Sequence, residues 1–269
     1  MSVRIDSYLH GKLLESAEGM RDKVRLGSLG LPHAGDWINV IPSPSLGLQL
    51  RSSEFRTAAL YRLGLPVFQT AGPCIACGKP SDVLADHAVS CASQGERILR
   101  HNHLRDALYH MAVSASLGPT REDRALLPGV DQRPADILLP LWAGGQDCAL
   151  DITVVSPFQQ QALEKASVEP GYALTMRYDQ KWRKYGELCR AEGIVFEPLP
   201  IETLGGWGDS AVRVLKKLGQ ALARASCQDE AEVTRHMFGR LSILLQKSNA
   251  SLILNRTPLH PDPQVNGVL

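Results

Sequence analysis

The sequence predicts an α/β protein in which a mixed sheet is flanked by helices, preceded by a helical N-terminal segment and a small zinc knuckle. Three observations predict it. Two apolar runs, 137–141 and 148–155, enclose Ala143-Gly144-Gly145-Gln146 and read as a β-hairpin. A helix over 174–192, a strand over 194–201 and a helix over 210–226 follow, and that order fits a mixed sheet covered by helices. Upstream, Cys74, Cys77, His87 and Cys91 are spaced C-x2-C-x9-H-x3-C, as ligands of a zinc site are.

The 269 residues are 44% hydrophobic, enough for a substantial core. Lys+Arg 29 against Asp+Glu 28 leaves a net charge of +1, so any nucleic-acid surface has to come from local clustering. No apolar run approaches the length of a membrane span, and the first residues lack the apolar core of a signal peptide. The expected location is therefore intracellular. Six cysteines in such a chain point to metal ligation rather than to a disulfide framework.

Residues 3–26 carry Val3, Tyr8, Leu9, Leu13, Leu14, Met20 and Val24 at helical spacing, which predicts one or two amphipathic helices serving as scaffold. The segment 27–47 is rich in Gly, Pro and Ser, with Trp37 as its packing anchor, and a serine-capped helix runs over 52–60. In the knuckle, Gly78 supplies the positive φ of the turn, and His87 and Cys91 lie four apart on a helical turn. Four protein ligands close the site, so its zinc is structural. Cys148, Cys189 and Cys227 are scattered and read as small buried hydrophobes.

A helix from 93 to about 116 follows, with Arg97, Arg100, His101 and Arg105 on neighbouring turns. These suit phosphate contacts; a solvated face is the alternative, and His101 or His103 are alternative zinc ligands. In the hairpin, Asp151 interrupts an apolar run. A buried carboxylate needs a pairing cation, a metal ion or a cleft beside it. Asp136, at the start of the first strand, can meet Asp151 across the ladder.

On the 174–192 helix, Tyr178, Lys181, Trp182 and Tyr185 share a stripe facing the sheet, and Lys184 points to phosphate or solvent. An amphipathic core helix with a solvated lysine is the alternative. The last helix, 230–248, presents Val233, Met237, Leu241 and Leu244 on one face, and the Pro-rich tail 255–269 reads as disordered. The expected organisation is thus 1–70 helical segment, 71–117 knuckle and basic helix, 118–228 sheet core, 229–254 C-terminal helix and 255–269 tail.

The order of knuckle, basic helix, Arg121-Glu122-Asp123, Arg133-Pro134-Ala135-Asp136 and Leu150-Asp151-Ile152-Thr153 resembles the restriction-like endonuclease region of site-specific non-LTR retrotransposon polyproteins. That region belongs to the PD-(D/E)XK nuclease superfamily, and the resemblance runs from about residue 30 to 211. Ala34-Gly35-Asp36-Trp37, Lys181-Trp182-Arg183-Lys184-Tyr185 and Gly205-Gly206-Trp207-Gly208 extend it. No reverse-transcriptase core is present, so the chain is similar to a separated tail of such an element.

The resemblance implies a restriction-endonuclease-like core that hydrolyses DNA, with RNA the alternative substrate, in the nucleus. It implies Mg2+ or Mn2+ on Asp136 and Asp151, with Glu122 a third acidic residue for which Asp123 and Glu96 compete, and the carbonyl of Ile152 a further ligand. The superfamily places lysine at position 153. Thr153 stands here, and the resemblance assigns that role to Lys181, with Lys184 and Tyr185 completing the motif. Arg133, beside Asp136, joins the expected nucleic-acid contacts. The alternatives are a catalytically inactive nucleic-acid-binding protein, which Thr153 motivates, and a structural remnant of a polyprotein.

Overall fold

A four-stranded sheet in the order β3–β4–β5–β6 forms the centre of the fold in a computed structural model that describes residues 2–121, 126–127 and 134–256. Its strands are β3 (Thr120–Arg121), β4 (Ile137–Ala143), β5 (Gln146–Val155) and β6 (Val195–Glu202). The first three are antiparallel neighbours, and β6 joins β5 in parallel. A parallel neighbour requires a crossover, supplied by α6 (Gln160–Ala166) and α7 (Tyr172–Ala191).

The expected hairpin is present. Gly144 and Gly145, at φ 65° and 89°, make the two-residue turn between Ala143 and Gln146. The ladder loses register between Leu139 and Ala143, where Pro140 has no N–H to donate and Leu141 adopts φ 51°. Asp147 accepts the Leu141 N–H at 3.0 Å.

β5 is buried on both faces. Cys148, Leu150 and Ile152 join a core with α5 (Glu96–Ser114), α8 (Asp209–Ser226) and α9 (Glu230–Leu254), through Leu104, Leu108, Leu215, Leu218, Met237 and Leu241. Ala149, on the other face, packs with Phe196, Tyr185 and Cys189 beneath α7. The mixed sheet between helices is as expected, whereas β3 and α6 are elements the sequence pattern did not reveal.

N-terminal to the sheet, α1 (Ser2–Glu15), α2 (Met20–Leu29) and α3 (Ser52–Leu63) form the helical segment, and Trp37 is buried against Ala58 and Ile243 as the expected anchor. The α3 cap differs from expectation: the helix opens after Arg51, whose N–H is accepted by Glu54 at 2.8 Å, and no serine hydroxyl caps it. The Gly205-Gly206 pair permits a close approach to the 30–34 segment. A Cβ at Gly206 would lie 2.7 Å from a Leu31 methyl, and Trp207 N–H donates to the Pro32 carbonyl at 3.3 Å.

α9 is longer than the 230–248 expected and buried on several sides, since Phe238, Ile243, Leu245 and Ile253 join the predicted face. Its N-terminus is capped by Asp229, which accepts from Glu232 N–H at 2.9 Å. Beyond it, Arg256 is fully buried, so the tail is anchored at least that far; 257–269 lie outside the described residues. No helix among the described residues is long and apolar enough to cross a membrane.

Candidate functional site

Among the described residues two clusters bear chemistry, and the first is the knuckle. Strands β1 (Gly72–Pro73) and β2 (Pro80–Ser81) pair antiparallel and carry Cys74 and Cys77 in the turn between them. Gly78, at φ 73°, donates its N–H to the Cys74 carbonyl at 2.7 Å. His87 sits on the short helix α4 (Asp86–Ser90), whose first N–H groups are accepted by the two Asp82 oxygens at 3.1 and 2.9 Å, and Cys91 follows it.

One ligand atom from each of Cys74, Cys77, His87 and Cys91 lies within 4.8 Å of all the others. Cys74 Sγ and Cys91 Sγ are 4.0 Å apart, and Cys77 Sγ is 3.2 Å from His87 Nε2. Tetrahedral Zn2+ with Zn–S of about 2.3 Å separates its ligands by about 3.5–3.8 Å, so the residues fit that ion and leave no open position. Burial opposes ionisation of Cys91, but the Arg256 guanidinium and the Ser93 backbone outweigh it and bring the thiol down to about 6. His103 bonds Ser248 Oγ at 3.2 Å and His101 lies in the second cluster, so neither joins the Cys3His set.

The second cluster lies where β4 begins beside the middle of β5, and it is met by the second turn of α5 and the middle of α7. Ile137 pairs with Leu150, and Asp136 N–H donates to the Leu150 carbonyl at 2.9 Å, which puts Asp136 beside Asp151 across the ladder. Asp136 Oδ2 accepts from Ile152 N–H at 2.6 Å and pairs with His101 Nε2 at 3.1 Å. Lys181 Nζ is 3.0 Å from each oxygen of Asp151, donating to Oδ1. Oδ2 of Asp151 is buried and meets Lys181 as an ion pair rather than through an aligned hydrogen bond.

Burial pushes Asp151 up to about 6; Lys181 opposes the shift and the Asp136 charge adds to it. For His101, burial lowers the pKa, but the hydrogen bond and charge of Asp136 prevail and raise it. The cluster therefore brings together two carboxylates, a lysine and a protonatable imidazole, each carboxylate paired with one of the two nitrogen bases.

The remaining expected residues separate into distinct roles. Tyr185 is buried against Phe196, and Lys184 is exposed with its amine 4.7 Å over the Tyr185 ring. Arg97 is exposed at the start of α5, with Nη1 3.3 Å from the Ser90 carbonyl. Arg105 pairs with Asp106 at 2.9 Å. Arg100 departs from its expected place on a phosphate-binding face: it is 3% exposed, bonding the Val89 carbonyl at 3.1 Å and Asn249 Oδ1 at 2.7 Å. His101 likewise turns inward, toward Asp136.

Glu96, a competitor for the third acidic position, is engaged by Arg256 and by Asn255 Nδ2, away from the carboxylate pair. Glu122, Asp123 and Arg133 lie outside the described residues. Cys148 and Cys189 are buried as expected, whereas Cys227 is exposed where α8 ends in a left-handed residue. Sequence reasoning missed Arg256 and Glu202, whose burial depends on distant partners, and Arg177, which stands one turn before Lys181. No family model matches this chain, and no curated protein matches it at a significant level.

Proposed function

We propose that the chain is a Mg2+-dependent endonuclease of the restriction-like type, hydrolysing DNA phosphodiesters in the nucleus, with the zinc knuckle as a structural support. One observation carries the reading. The Lys181 amine stands 3.0 Å from both Asp151 oxygens, so a later helix delivers the cation that position 153 lacks. The neighbouring Asp136, set beside Asp151 across the ladder, supports a hard-cation site.

Mg2+ held by Asp136 and Asp151 would polarise the phosphate and activate water. Lys181 stabilises the charge that grows on the phosphate oxygens as the nucleophile adds. His101 holds a proton at Nε2 against Asp136 and fixes the orientation of that carboxylate. Trp182 stacks near Phe196, their ring centroids 6.3 Å apart, and so fixes the turn of α7 that presents Lys181.

The second reading, an inactive nucleic-acid-binding protein, is favoured by the same ion pairs, because Lys181 and His101 already compensate both carboxylates. A supercoiled-plasmid nicking assay with Mg2+ separates the two. Wild type is expected to nick, Asp151→Ala to fall to background, and Lys181→Ala to fall by about 10²–10³-fold. Equal nicking by wild type and Asp151→Ala, or none by either, sinks the enzyme reading.

A further inference from the structure

Two helices converge on the carboxylate pair with the same pattern. On α7, Lys181 reaches Asp151 and Arg177 stands four residues earlier; on α5, His101 reaches Asp136 and Arg97 stands four residues earlier. Residues four apart share a helix face about one turn, or about 6 Å, from each other. Each helix therefore presents one cation to a carboxylate and a second cation one turn away.

Among the described residues the second cations have no ion-pair partner. Arg177 is half-buried, and its Nε is shielded from solvent with no hydrogen-bond partner. Arg97 bonds the Ser90 carbonyl, its one hydrogen bond among the described residues. The nearest carboxylate on α7, Asp179, is 4.0 Å from Arg183 instead. Burial, and then the charge of Arg97, lower the Arg177 pKa while Asp151 raises it, so the two guanidinium groups and the carboxylate lie within electrostatic reach of one another. Lys181 and His101 are thus already paired with the two carboxylates, which leaves Arg97 and Arg177 one turn away to meet an anion.

We propose that Arg97 and Arg177 together seat a phosphate of the DNA backbone beside the Asp136–Asp151 pair. This rests on the nuclease reading for the identity of the anion. Guanidinium forks bind phosphate oxygens in pairs, and a phosphate held there stands one helical turn from the reacting carboxylates, in position to fix the register of the strand. Arg177 is a positioning residue whose work is done in binding.

The test is fluorescence anisotropy with a fluorescein-labelled DNA duplex over a salt series, without added divalent ions so that no strand is cut. Each phosphate contact contributes about 0.9 to the slope of log K against log salt. Arg177→Ala and Arg97→Ala are each expected to reduce the slope by about that amount and to weaken low-salt binding by about tenfold, with thermal unfolding unchanged. Arg177→Lys, which keeps the charge, is expected to restore the slope.

Wild-type slopes in both alanine variants, or no binding by the wild type, overturn the proposal. A slope that falls while plasmid nicking is absent in the wild type supports the phosphate seat and removes the nuclease reading. The two ideas therefore fail separately.

Discussion

At Glu202 the last residue of β6 places a carboxyl at 1% exposure, with neither oxygen hydrogen-bonded. Burial pushes its pKa from 4.5 to about 7, with only Ser28 nearby to offset it. Asp151 is nearly as buried, but Lys181 compensates it. For Glu202 the folded state therefore holds its proton more tightly than the unfolded state. The stability this gives is complete below about pH 4.5 and is lost as pH rises through about 7, amounting to about 3 kcal/mol. Glu202→Gln removes the titration. Urea unfolding followed by circular dichroism from pH 5 to 8 is expected to show wild-type stability falling relative to the variant across that window. Parallel profiles would contradict it. Residues such as Glu202 and Arg100 were illegible in the sequence for one reason: composition assigns charged side chains to solvent, and their burial is set by partners far along the chain. Arg100 is held by Asn249, and the sequence gives no local sign of that contact.

Among the elements, the legible ones carry their instructions locally. The β4–β5 hairpin is specified by two glycines between apolar runs, and the Cys3His cluster by ligand spacing. β3 has two residues and α6 has seven, too few for a periodic signal, and each exists because its neighbours hold it. The knuckle is the clearest case of an element that cannot stand without its ligand, since β1 and β2 have two residues each and α4 has five. Zinc affinity there is folding free energy. The purified protein is expected to hold about one zinc per chain by inductively coupled plasma mass spectrometry. Cys74→Ser should lose that zinc and lower the melting temperature, while Cys227→Ser, at the exposed end of α8, should retain it. Equal zinc in the wild type and Cys74→Ser would remove the site.

Across the whole molecule, α9 ties together regions that sequence order separates. Met237, Phe238, Leu241 and Leu245 enter the core with Ile152, Leu199 and Trp207; Ile243 packs with Trp37 and Ala58; Ile253 packs with Tyr61, Phe68 and Ala85. Asn249 joins Arg100 to the Thr203 carbonyl at 2.8 Å, and Arg256, beyond the helix, donates to Ser93 and Glu96 beside the knuckle. The strands and helices of 118–228 mark that segment as a unit in the sequence, yet the apolar stripe of the following helix carries no sign of which surface it covers. Full burial of each of the four core side chains contributes about 1.5–3 kcal/mol. Together they approach the whole net stability of a domain, about 5–15 kcal/mol. A fragment spanning 118–228 is therefore expected to lack cooperative urea unfolding and near-ultraviolet circular dichroism, whereas the chain to residue 256 shows both. A cooperative transition in the fragment would mean that the sheet carries its own core. The nuclease reading would then rest on the β4–β5 hairpin and α7, with α5 adding His101 at Asp136 and α9 left as a brace for the knuckle.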